Sequence, residues 1–153
     1  MQTMETPSGI SFIEFALMAA LLSGCAISLA PELAAATRTA REQALEEDLA
    51  MFRRQIEQYR LDHGNQLPAE GTNSEATFVS QLTRRTNEHG DVAERAHFGP
   101  YIIGELPVNP YSGKSRVLVV PGPFQREHVD GDGTHGWAFS STTGEIRANT
   151  AGR

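Results

Sequence analysis

Glu14 is the first residue whose type and place could do chemistry. It is the one charge in the apolar run Ile10–Ala30, ISFIEFALMAALLSGCAISLA. An acidic residue at the centre of a membrane helix costs about 2.5–3.5 kcal/mol on insertion scales, so its charge calls for a partner. If the chain were cut after Gly9, Ile10 would carry a new α-ammonium four residues before Glu14, within reach in its own helix or from a neighbour's. The duller alternative is a polar residue near the headgroups, neutralised by protonation. Position alone leaves the two even. Asp130-Gly131-Asp132-Gly133-Thr134 is the one metal candidate. Alternating Asp and Gly can wrap a calcium ion, which takes six to eight oxygens. A full EF-hand loop would need an acid where Ser141 stands. Gly-Asp repeats are also ordinary loop residues, and that reading is favoured over calcium at Asp130 and Asp132. No other cofactor is expected.

The remaining nucleophiles and ligands form no catalytic pattern. None of the five histidines pairs with another at helical i, i+4 spacing. Ser11, Ser23 and Ser140 lie outside any GxSxG context, and no phosphate-binding glycine loop occurs. An enzyme reading therefore rests on no positive motif. Cys25 is the only cysteine, which excludes an intrachain disulfide and a CxxC site. It ends Leu22-Ser23-Gly24-Cys25, which matches a bacterial lipobox. Against lipidation stand the uncharged-to-acidic leader, Glu14 within the apolar run, and apolar sequence that continues past the cysteine. Cys25 also fits as a small buried apolar side chain.

The elements that must position these residues follow from pattern. With 153 residues the chain reads as one domain, and its net charge of −6 argues against a nucleic-acid partner. Residues 10–30 are long and apolar enough to span a bilayer core of roughly 30 Å. Pro31 follows, as a kink or an end to that span. Leu45, Leu49, Phe52, Ile56 and Tyr59 then recur at spacings of four, three, four and three, one stripe of a helix. Gly64 stops it, so the helix should run to about residue 63 and measure about 80 Å from Ile10.

The rest is loop and sheet. A short amphipathic helix is expected over Glu75–Arg84, with Phe78, Val79 and Leu82 inward. Asn87–His97 is polar loop. The prolines around Tyr101 and Asn109 demand turns. Arg116–Pro121 reads as a strand, and Trp137–Ser140 with Glu145–Ala148 as a hairpin. The expected fold is α+β: a long N-terminal helix, its first half in the membrane, laid on a small antiparallel sheet.

Gly9-Ile10-Ser11-Phe12-Ile13-Glu14-Phe15 resembles the prepilin cleavage motif of type IV pilin-like proteins. Further along, Tyr59–Gly64 before Leu67-Pro68, then Gly99-Pro100-Tyr101, then Leu106-Pro107-Val108-Asn109-Pro110, follow the order of the major pseudopilins of type II secretion systems. Two departures are plain: Ile10 stands where the family usually has Phe, and the leader has no Lys or Arg. After Pro110 the likeness loosens. The resemblance implies a leader of residues 1–9, removed after Gly9 by a prepilin peptidase that N-methylates Ile10. It implies a transmembrane and assembly helix over 10–30 and a periplasmic domain over 31–153. It also implies a single-pass protein of the bacterial inner membrane that assembles through Glu14. Its partners would be copies of itself, other pilin-like subunits and inner-membrane assembly proteins, driven by a cytoplasmic ATPase. The rival classes are a periplasmic binding module lipidated at Cys25 and a membrane-tethered enzyme.

Overall fold

In the computed structural model the chain is described over residues 12–125 and 131–150, with the backbone alone for 12–31. It divides into two compact units, Met1–Ala40 and Arg41–Arg153. Helix α1 is Phe12–Asp62. It continues through Pro31, so this proline ends no helix. Among the described residues no helix is long and apolar enough to cross a membrane. The side chains of the expected span over 10–30 lie outside the described residues.

In the first unit, residues 32–40 of α1 are exposed, Leu33 included. Thr37 Oγ1 donates to Leu33 O at 2.8 Å and Thr39 Oγ1 to Ala35 O at 3.1 Å. Both hydroxyls thus bond back to the preceding turn, the usual solution for threonine inside a helix.

The second unit is built on the stripe. Leu45, Leu49, Phe52, Ile56 and Tyr59 are all buried, as their spacing requires. Phe52 meets Trp137 edge-on with ring centroids 5.1 Å apart. The helix ends at Asp62, where the left-handed Gly64 and Asn65 let Asn65 N–H reach back to Arg60 O at 2.8 Å. Helix α2, Glu75–Thr83, starts on Ser74, whose hydroxyl accepts from Thr77 N–H at 3.3 Å. Phe78 and Leu82 are fully buried and Val79 half-buried beside them. Phe78 packs on Phe139, centroids 4.6 Å apart.

Three strands form one sheet in the order β1 (Val117–Val120), β2 (Trp137–Ser140), β3 (Ile146–Ala148). The expectation of an antiparallel sheet is half corrected. β2 and β3 form the hairpin, Trp137 opposite Ala148 and Phe139 opposite Ile146. β1 pairs with β2 in parallel, Val117 beside Trp137 and Val120 beside Ser140, so the sheet is mixed. A parallel pair needs a connection of a dozen or more residues, and β1 and β2 are separated in sequence by residues 121–136. Central β2 is buried along its whole length. Trp137 and Phe139 meet the helices; on the opposite face Ser140 Oγ donates to Gly122 O at 2.6 Å.

Candidate functional site

Of the residues singled out by sequence, Gly9, Ile10 and Asp130 lie outside the described residues, and Glu14 is placed on α1 by its backbone alone. Asp132 is fully described. Its Oδ1 accepts from Thr134 N–H at 2.8 Å, His135 N–H at 2.9 Å and Asn149 Nδ2 at 3.1 Å. Its Oδ2 contacts His135 Nδ1. Burial alone would raise this carboxyl's pKa; the backbone donors of His135 and Thr134, then their side chains, outweigh it and hold the carboxyl far below the usual range. The carboxylate therefore organises its own turn and ties it to Asn149. Among the described residues, no three of His, Cys, Asp and Glu stand together as a metal-ligand set.

Most other buried polar groups hold loops to the core. His63 extends the α1 stripe by one more step of four, a continuation legible in the spacing but missed among the histidines. Its ring stacks on Tyr59, centroids 3.9 Å apart. A carbonyl only accepts, so Nδ1 donates to Tyr59 O at 2.7 Å, leaving Nε2 to meet the Thr86 hydroxyl at 3.0 Å. Tyr101 Oη donates to Asp62 Oδ2 at 2.9 Å. Burial, then that bond and charge, push Tyr101 up; burial, with the charges of Asp91 and Glu70, pushes Tyr59 up to about 12. Both phenols therefore stay protonated across physiological pH. A cleft of about 490 Å³ opens beside this network, between Asp62, Glu88, His89 and Phe98.

Asn109 does for the second loop what His63 does for the first. It is fully buried. Nδ2 donates to Gly136 O at 2.7 Å, and Oδ1 accepts from Tyr111 N–H at 2.9 Å. Trp137 Nε1 donates to Pro107 O at 2.9 Å, fixing the same loop to β2. No known protein family, curated protein or solved structure matches this chain. The chain's own sequence and geometry therefore carry the functional reading.

That geometry leaves the outward face of α1 in the second unit. Glu46, Glu47, Arg53 and Arg54 are exposed there. Glu57 binds Arg60 at 2.7 Å, one turn on. The inward stripe packs on the core, whereas the charged face is exposed. His63, Asn109 and Asp132 are committed to loop anchors and a turn, an arrangement suited to holding a shape.

Proposed function

We propose that this chain is a structural subunit of a type IV pilin-like filament, of the kind that forms a type II secretion pseudopilus. It is held in the bacterial inner membrane until assembly and cut after Gly9 by a prepilin peptidase. One observation carries the reading. The motif Gly9-Ile10 precedes α1 in sequence, and the helix that contains Glu14 also carries the buried stripe Leu45–Tyr59. A helix that is apolar at one end and core-forming at the other suits a subunit stored in a bilayer and transferred to a bundle. There Glu14 must find a cation, because an unpaired buried charge is strongly destabilising. The α-ammonium of a neighbour's Ile10 is that cation. Other pilin-like subunits and the inner-membrane assembly proteins are the partners, and work on cargo is mechanical.

Mass spectrometry of the protein purified from membranes tests this directly. The expected mature chain begins at N-methylated Ile10. A mature chain that begins at an acylated Cys25 would instead establish the lipid-anchored binding module that Leu22-Ser23-Gly24-Cys25 suggests.

A further inference from the structure

Lys114 is the only lysine in the chain. Its ammonium donates to Gly133 O and makes no ion pair among the described residues. It lines a cavity of about 280 Å³ with Tyr111, Ser112, Gly133, Asn149 and Thr150, and no acid lines that cavity among the described residues. Ser112 Oγ is buried and has no hydrogen-bond partner in the protein, the one such side-chain atom among the described residues. Three segments of the second unit fix the lining. Asn109 N–H closes the turn 109–114 on Lys114 O at 3.0 Å, and Ser112 N–H donates to Asn109 Oδ1 at 3.3 Å. Asn149 is buried after β3, with its N–H on Gly136 O at 2.9 Å. Its side chain exchanges bonds with Asp132: Asp132 N–H donates to Asn149 Oδ1 at 3.3 Å, and Asn149 Nδ2 to Asp132 Oδ1 at 3.1 Å. Those bonds hold the turn that carries Gly133.

We propose that this cavity binds a small carboxylate, which takes hydrogen bonds from Lys114 Nζ and Ser112 Oγ. An ammonium carries three donors, and Lys114 spends one on Gly133. A buried hydroxyl without a partner is costly, so a ligand that bonds Ser112 gains affinity from it. A carboxylate offers two oxygens, one for each donor. Charge selects the same class. One cation lines the cavity, so a monoanion leaves it neutral. A phosphate group carries about −1.5 to −2 at pH 7 and would leave part of its charge without a partner. Asp132, on the neighbouring turn, is bonded to Thr134, His135 and Asn149, so it leaves the Lys114 ammonium to the ligand. The site lies wholly within the second unit, and the proposal stands independently of the filament reading.

The test uses the full chain in detergent at constant ionic strength, with sodium acetate as the probe and sodium chloride and sodium phosphate as controls. Biosynthetic labelling with isotopic lysine marks Lys114 alone, so its side-chain NMR signal reports on this cavity. Acetate moves that signal along a saturable curve, and chloride does not. Ser112→Ala weakens acetate binding roughly tenfold, the effect of losing one hydrogen bond to a charged group. The backbone bond from residue 112 to Asn109 remains in that variant, and the group removed has no partner, so the unfolding temperature of the free protein does not fall. Lys114→Met keeps the aliphatic stem and removes the charge. Acetate raises the unfolding temperature of the wild-type chain by mass action and leaves that of Lys114→Met unchanged. A linear response to acetate, or one that chloride reproduces, overturns the proposal. So does phosphate binding as tightly as acetate, or unchanged acetate binding in Ser112→Ala.

Discussion

Glu75 holds two elements with one carboxylate. Oε2 accepts from Arg116 Nη2 at 2.8 Å and Oε1 from Val117 N–H at 2.9 Å, which ties the first turn of α2 to the start of β1. Burial would raise its pKa; the bonds from Arg116 and Val117 more than offset that and lower it. Asp132 is lowered for the same kind of reason. For both groups the unfolded chain binds protons more readily than the folded one. Their contribution to stability is therefore complete above the ordinary carboxylate range and is lost as pH falls through the lower, folded values. Glu75→Gln is expected to flatten the acid limb of the unfolding free energy, measured by denaturant titration in detergent from neutral pH downwards. An unchanged limb in that variant refutes the assignment. Gly136 is a packing constraint of the opposite sort. A Cβ at this position would lie 1.9 Å from Lys114 O, inside a turn pinned by Asn109. Gly136→Ala is expected to lower stability by about 3 kcal/mol, the upper end for overpacking. Thermal unfolding at the wild-type temperature would show that the turn gives way freely.

The elements depend on a few large side chains. Phe52 is fully buried between α1 and Trp137, and Phe78 joins α2 to Phe139. Phe52→Ala removes the ring at the middle of the stripe and is expected to cost about 3–5 kcal/mol. Denaturant unfolding of the full chain in detergent reads this, and a loss under about 1 kcal/mol would mean that the sheet is held to α1 some other way. The stripe itself was legible, because helical periodicity is a local property of Leu45, Leu49, Phe52, Ile56 and Tyr59. The direction of β1 was not. Four residues of Val and Leu read the same in a parallel or an antiparallel pair. What decides is where β2 begins: Trp137 lies beside Val117, at the start of β1, so the two strands run the same way.

For the molecule as a whole, the proposed filament reading makes processing and assembly separable steps. Gly9→Val is expected to leave the leader attached and to stop assembly, since the peptidase of the family it resembles needs a small residue before the cut. A mature N-terminus at Ile10 in that variant, seen by mass spectrometry, sinks the processing step. Glu14→Gln keeps the shape and removes the charge. It should insert and be cleaved normally yet enter filaments poorly. The ratio of sheared filament to processed membrane protein measures this, and a wild-type ratio removes the electrostatic argument for assembly. A lipoprotein would discard Glu14 with its signal and would not respond.

Sequence by itself determined the features that depend on neighbours along the chain. These are the apolar run with its single acid Glu14, the helical stripe, the stop at Gly64, the short helix α2 and the turn before β3. The tertiary structure decided the features that depend on distant partners. It paired Glu75 with Arg116, Asn109 with Gly136 and His63 with Thr86, and it set β1 parallel to β2. It also bonded Asp132 to Thr134, His135 and Asn149, at a position where sequence favoured a loop over a calcium ligand. The physical reason is one of range. Periodicity, caps and turn residues act over one or two turns of chain, whereas a buried hydrogen bond is made with whichever donor the fold brings near, and no spacing rule names that donor in advance.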